Sequence, residues 1–309
     1  MIHPVSIGCD ISKAFLDIAD PQTKHPIRLP NTTSDIGEWL DTLAGREVVI
    51  IFEATGRYDQ LLRQALDKRH IPYCRVNPAR ARDFAKATGR MAKTDRIDAK
   101  MLARMGDTLS PPLSKPVDPA RQELKILHTR RDQLVAMRKQ ERLRIHTAEP
   151  FELDSIERHL GWLDAEITAI EKQYQAHLNA HEELQEQGAL LCSIPGIGHI
   201  TSCTLRAHMP ELGEGNPKHM AALAGLAPFN AESGKHQGER RIMGGRKRVR
   251  DALYIAALVV YRLKTPFADF IQTMQAKGKP FKVIIIAIAH KLLSIANAII
   301  RDRTAFKKA

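Results

Sequence analysis

The chain has 309 residues, 43% of them hydrophobic, with 47 Lys and Arg against 35 Asp and Glu for a formal net charge of +12. That length and apolar content exclude wholesale disorder and leave room for two domains, or for one domain with a long helical insertion. A protein this basic commonly faces a polyanion, and the placement of the charge sharpens the point. Residues 1–120 carry 18 basic and 15 acidic groups, 121–187 carry 10 and 13, and 188–309 carry 19 and 7. The whole excess falls in the C-terminal third, as a localised phosphate-binding surface requires.

The N-terminus shows no basic stretch leading into an apolar run, so no signal peptide is read and a cytoplasmic protein is expected. Cys9, Cys74, Cys192 and Cys203 form no CxxC pair and have no His at zinc-ligand spacing, which fits reduced thiols. Residues 5–10 read as a short apolar strand ending on an acid, 15–19 as its hairpin partner and 26–30 as a third strand. A helix over about 34–43 leads to 48–53, a continuous apolar run of the buried central type. Helix 57–69, strand 73–76 and helical stretches around 78–88 and 95–105 follow. Antiparallel strands, then alternating helices and parallel strands, give a ribonuclease-H-like α/β order.

Pro111, Pro112, Pro116 and Pro119 punctuate a linker. Two long helical patterns come next, separated by Pro150. The first, 121–146, holds eight basic and three acidic residues; the second, 152–187, holds nine acidic and two basic. Ile156, Leu160, Leu163, Ile167, Ile170, Tyr174 and Leu178 step by four and three along the second, a heptad seam. The opposite charges favour an antiparallel hairpin, either a solvated spacer or a dimerising element. Residues 188–309 look mainly helical. They open with Pro195-Gly196-Ile197-Gly198, where Gly196 and Gly198 suit a helix-hairpin-helix-like turn that offers backbone N–H groups to phosphate. The apolar stretch 283–300 contains His290 and Lys291 and reads as a buried helix, with no membrane partner.

Four acids stand out. Asp10 and Glu53 close two predicted strands, and ligands gather at the carboxyl ends of strands in open α/β sheets. Asp95 and Asp98 are three residues apart and share one helix face. Carboxylates converging in this way call for hard divalent cations, Mg²⁺ or Mn²⁺, and two such ions can stabilise the attacking and leaving oxygens of a phosphoryl displacement.

These residues also carry a family pattern. GCDISK (8–13), FEATGRY (52–58), NPARARDFAKATGRMAKTDRIDA (77–99), PGIG (195–198) and AGLAPFNAESGK (224–235) together resemble the DEDD transposases of the insertion-sequence 110 family, relatives of the pilin-gene invertases. The resemblance implies a RuvC-like ribonuclease-H domain over 1–115, with Asp10, Glu53, Asp95 and Asp98 as metal ligands. It implies a helical hairpin or coiled coil over 116–187, through which dimers or tetramers assemble. It further implies a mainly α transposase domain over 188–309 with a serine nucleophile at Ser233, and a structured guide (bridge) RNA that pairs with donor and target DNA. In this family the two halves of the site are thought to meet across protomers.

A serine hydroxyl is a weak nucleophile at neutral pH and needs a base or a metal. Ser233 precedes Gly234 in what reads as a polar loop, with His236 three residues on. Lys235, Arg240, Arg241, Arg246, Lys247, Arg248 and Arg250 follow, opposed only by Glu239, and beside a nucleophile they read as a phosphate clamp. Two other readings stay open at this stage: a RuvC-like metal-dependent DNA junction nuclease without a covalent intermediate, and a non-catalytic nucleic-acid-binding protein.

Overall fold

The structure is a computed structural model that describes residues 4–23, 25–89, 95–116, 118–229, 232–233, 236–237, 241–263 and 266–307. It divides into two compact units, Met1–Val117 and Asp118–Ala309.

The first unit is built on β1 (Val5–Ile11), β2 (Phe15–Ala19), β3 (Ile27–Pro30), β4 (Val48–Glu53) and β5 (Tyr73–Val76), ordered β3-β2-β1-β4-β5. β1, β2 and β3 form an antiparallel meander, whereas β4 runs parallel to both β1 and β5. Alternation along β4 supplies both faces of this mixed sheet. Ile50 and Phe52 join the core closed by α1 (Thr33–Asp41) and α2 (Gln60–Lys68), through Ile36, Leu40, Leu62 and Leu66. Ile51 joins the opposite core with Leu102 and Met105 of α4 (Asp95–Leu109) and Ala81 of α3 (Pro78–Ala87). The helix starts are encoded locally. Thr32 caps α1 by accepting from the Asp35 amide, and Asn77 caps α3 ahead of Pro78.

The proline-rich segment expected as a linker is not free of the first unit. Ser114 donates its N–H to Tyr73 O at 2.8 Å and accepts from the Arg75 N–H at 2.9 Å, while Cys74 Sγ donates to Pro111 O at 3.1 Å. The segment thus lies along the outer edge of β5, whose ladder groups need covering.

The second unit opens with α5 (Pro119–Arg144) and α6 (Pro150–Asn179). They run antiparallel: His177 donates to Ala120 O, Arg131 meets Glu171 and Arg138 meets Asp164, both at 2.6 Å, and His159 meets Glu141 at 3.1 Å. The heptad positions form the inner face, with Leu163, Ile167, Tyr174 and Leu178 buried and Ile156, Leu160 and Ile170 half-buried. Exposed ion pairs contribute little, so this seam holds the hairpin.

The helix expected over 152–187 breaks at His181, whose extended backbone starts a separate α7 (Glu182–Cys192). α8 (His199–His208), α9 (Pro217–Ala224), α10 (Lys247–Leu263), α11 (Ala268–Ala276) and α12 (Phe281–Asp302) complete the helices. Among the described residues, four two-residue strands lie between α9 and α10: β6 (Pro228–Phe229), β7 (Glu232–Ser233), β8 (His236–Gln237) and β9 (Arg241–Ile242). The hairpin clusters with these helices instead of standing apart, because α5 packs on α8 through Leu124, Cys203 and Ala207. Among the described residues α12 alone is long and apolar enough to cross a membrane, yet it buries Ile284, Ile285, Ile288, Leu292 and Leu293 in the second unit's core.

Candidate active site

The last paired residues of β1 and β4 are Cys9 and Phe52, so Asp10 and Glu53 come next, neighbours at the carboxyl ends of two parallel strands. Each is still paired on its outer side, Asp10 opposite Asp17 of β2 and Glu53 opposite Val76 of β5. Cross-strand acids repel, and the sheet answers at Asp17. Arg28 grips that buried carboxylate with bonds of 3.0 and 2.7 Å, so Asp17 is a structural ion-pair member. Burial pushes the Cys9 thiol well above its ordinary range, and the neighbouring Asp10 and Asp17 charges push it further. Its side chain is fully buried in the apolar core with Ile7, Ile50 and Phe52, on the opposite strand face from Asp10, so the donors that Asp10 and Glu53 offer at this end of the sheet are oxygens.

Two glycines bring α4 onto this strand end. A Cβ on Gly8 would overlap the Ala99 carbonyl oxygen and the Ala103 amide nitrogen, and one on Gly106 would stand 2.7 Å from Ile51 Cγ1 and Ser6 Cβ. Along the helix from 99 to 106, its contacts on β1 step back from residue 8 to residue 6. α4 thus runs antiparallel to β1, and its first turn, carrying Asp95 and the half-buried Asp98, starts at the end where Asp10 and Glu53 lie. The positive end of the helix dipole favours acids there. The Asp95 side chain lies outside the described residues. Among the described residues no three His, Cys, Asp or Glu side chains are placed to hold a metal ion.

The overlap at Gly8 is with backbone, which yields less readily than a side chain. Gly8→Ala is expected to destabilise the first unit by about 1–3 kcal/mol, as overpacking does, and to displace the first turn of α4. Thermal unfolding of the variant tests this, and an unchanged melting temperature would contradict the packing argument.

In the second unit Ser233 ends β7, paired with His236 of β8, where the sequence suggested a loop. β6 and β9 pair outside them, with Phe229 opposite Arg241. The side chains of Ser233 and His236, and Lys235 and Arg240 altogether, lie outside the described residues. Three of the clamp residues serve the fold. Arg246 makes two 2.6 Å bonds to Glu211 and donates to His208 O, and Arg250 donates to Gly244 O at 2.6 Å. Arg248 reaches from α10 to α5, donating to Thr129 Oγ1 at 2.9 Å and lying 3.3 Å from Asp132. Lys247 is largely exposed and pairs with Asp251 on its own helix. Gly196 has φ +87°, and a Cβ there would stand 2.5 Å from Val260 and 2.9 Å from Ala256 O, so it admits α10 at close range. Gly198 caps α8 and faces open space.

Sequence reasoning missed a buried polar cluster under Arg248. His128 and Thr204 share a 3.1 Å bond, His208 lies edge-on to His128 at 5.5 Å, and His208 Nε2 accepts from Arg248 at 3.3 Å. No spacing marks these residues, because α5, α8 and α10 meet only in three dimensions. Burial first, then the nearby His128 and Arg248 charges, lowers His208 to about 3. His208 is thus neutral when folded, whereas the unfolded chain takes up a proton below about 6.5. Stability held above that pH is lost on acidification toward 3. The melting temperature of the chain is expected to fall between pH 7 and pH 5, with His208→Gln flattening the slope.

Comparison with known proteins adds the class. A family profile described as a transposase matches residues 7–148, and one described as "Transposase IS116/IS110/IS902 family" matches 188–272. The pilin gene-inverting protein of Moraxella bovis is 36% identical over 271 residues, covering 84% of this chain and 82% of that protein. The corresponding protein of Moraxella lacunata matches to the same extent. The transposase for insertion sequence element IS1328 of Yersinia enterocolitica is 30% identical over 167 residues, half of this chain and 47% of that protein. The class is that of DNA-rearranging enzymes. The chain belongs to the insertion-sequence 110 family of transposases, whose substrate is DNA.

Proposed function

We propose that this transposase cuts and rejoins DNA with two sets of groups: a divalent-metal site of Asp10, Glu53, Asp95 and Asp98 in a ribonuclease-H-like, RuvC-like unit, and a serine nucleophile at Ser233. The observation that carries the reading is the approach of α4 to β1 at Gly8, which starts the helix bearing Asp95 and Asp98 at the strand ends bearing Asp10 and Glu53. An all-oxygen, acidic donor set suits Mg²⁺ or Mn²⁺ and disfavours thiolate-seeking metals. Bound there, such an ion supplies charge stabilisation to a phosphoryl group undergoing displacement.

The serine step balances without an external energy source. Ser233 Oγ gives up its proton and bonds to phosphorus, the P–O bond to one DNA hydroxyl breaks, and that hydroxyl leaves protonated. One phosphodiester is exchanged for another, so a second DNA hydroxyl can reverse the step on a new strand. Lys247, on the exposed face of α10, and the backbone amides beyond Gly198 would meet phosphates by charge and by helix N-terminus respectively. Arg240, Arg241 and Lys235 extend the same basic segment. A structured guide RNA that selects donor and target, and assembly as a dimer or tetramer, complete the reading.

Strand exchange between two labelled duplexes bearing element and target ends, with added RNA transcribed from the element's flank, assayed with and without EDTA, tests the metal-dependent step. Joined products that require divalent metal are expected. Metal-dependent cleavage that leaves only free ends would favour a junction nuclease.

A further inference from the structure

One side chain bridges the chain segments that leave the two acid-bearing strands. Asn31 follows β3, and its backbone N–H donates to Ala14 O at 2.9 Å. Its Nδ2 donates both to Ser12 O and to Tyr58 O, each at 3.0 Å. Ser12 stands two residues after Asp10, and Tyr58 five after Glu53. The β1–β4 pairing ends at Cys9 and Phe52, so this amide joins the two segments where the ladder between them has stopped. Immediately beyond Tyr58, the fully buried Asp59 carboxylate holds Arg63 at 2.9 Å and Arg75 of β5 at 2.6 Å. The segment after Glu53 is therefore held on both sides, by Asn31 toward β1 and by Asp59 toward β5.

We propose that Asn31 is a positioning residue that fixes the separation of the Asp10 and Glu53 carboxylates for metal binding. The inference rests on reading those acids as metal ligands. Its amide donors do the work, since both contacts run from Nδ2 to carbonyl oxygens. Outer groups that orient ligands commonly change metal affinity about 10–100-fold when removed.

The test uses the full-length chain without nucleic acid and reads Mn²⁺ binding by electron paramagnetic resonance of the free ion. Asn31→Ala and the size-matched Asn31→Leu are compared with Asp10→Asn, each checked by circular dichroism and thermal unfolding. The expected result is roughly tenfold or greater weakening of Mn²⁺ binding in both Asn31 variants, with near-complete loss in Asp10→Asn. In strand-exchange assays the Asn31 defect is expected to shrink as metal is raised, which a purely structural loss would not do. Should Asn31→Ala unfold, Asn31→Leu carries the comparison. Wild-type affinity in the folded Asn31 variants, beside a defective Asp10→Asn, would overturn the role of Asn31 alone. Wild-type affinity in Asp10→Asn would bring down the metal site and this inference with it.

Discussion

Ser233→Ala is expected to end strand exchange and to leave no protein–DNA adduct, while the chain keeps its fold. Removing a catalytic nucleophile lowers turnover by on the order of 10⁴-fold or more, because the covalent route disappears and the groups around it act only through the nucleophile. Ser233 lies in the two-residue strand β7, and among the described residues the cores of both units are formed by other elements. A melting temperature within about one degree of the parent is therefore the control, as for substitutions away from cores and caps. The measurement is denaturing gel analysis of a labelled duplex quenched during reaction: the parent shows a slow-migrating protein–DNA band and the variant shows none. Ser233→Cys keeps a nucleophile and should leave a weak band. Full strand exchange by Ser233→Ala would remove the serine from the mechanism. Loss of joining with persistent cleavage and free ends would instead assign hydrolysis to the acids.

The first unit was legible because its signals are local. Short apolar runs and their order along the chain marked all five strands, and the acids that close β1 and β4 could be placed at strand ends before any register was known. Sequence alone could not say why α4 comes to the same place. Gly8 and Gly106 are unremarkable as letters, and their role appears only as the overlap that any side chain would create. Asn31 was invisible for a related reason, since its partners Ser12 and Tyr58 lie 19 and 27 residues away. Charge counting could not show what else Arg246, Arg248 and Arg250 do. A basic run was read as a phosphate surface, and three of its guanidiniums also bond to Glu211, Thr129 and Gly244 within the unit. Local sequence reveals how many charges a segment holds, whereas their use depends on which carbonyls and carboxylates other helices bring up. The end of α6 is a further case, because nothing in Asn179-Ala180-His181 forbids a continuous helix. The break lets α7 turn and pack on α8, a tertiary gain that outweighs local propensity.

Asp98→Asn tests the acid cluster from the stability side as well as the activity side. Activity is expected to fall by about 10³-fold, of the order seen when one preorganised charge-stabilising group is removed from a catalytic site. The stability signature is more diagnostic. A ligand that binds only the folded chain at a hundred times its dissociation constant adds about 2.7 kcal/mol, so saturating Mg²⁺ or Mn²⁺ should raise the melting transition of the parent chain. Asp98→Asn removes one carboxylate at the start of α4 while retaining its size, so the variant, compared with its own transition in EDTA, should gain little from metal. EDTA should abolish the parent's strand exchange reversibly while leaving its DNA affinity largely intact, because the phosphate contacts proposed for the basic C-terminal residues would not need the ion. A metal-induced shift that survives in Asp98→Asn, alongside full activity, would show that Asp98 is not a ligand and that the helix start serves only the fold.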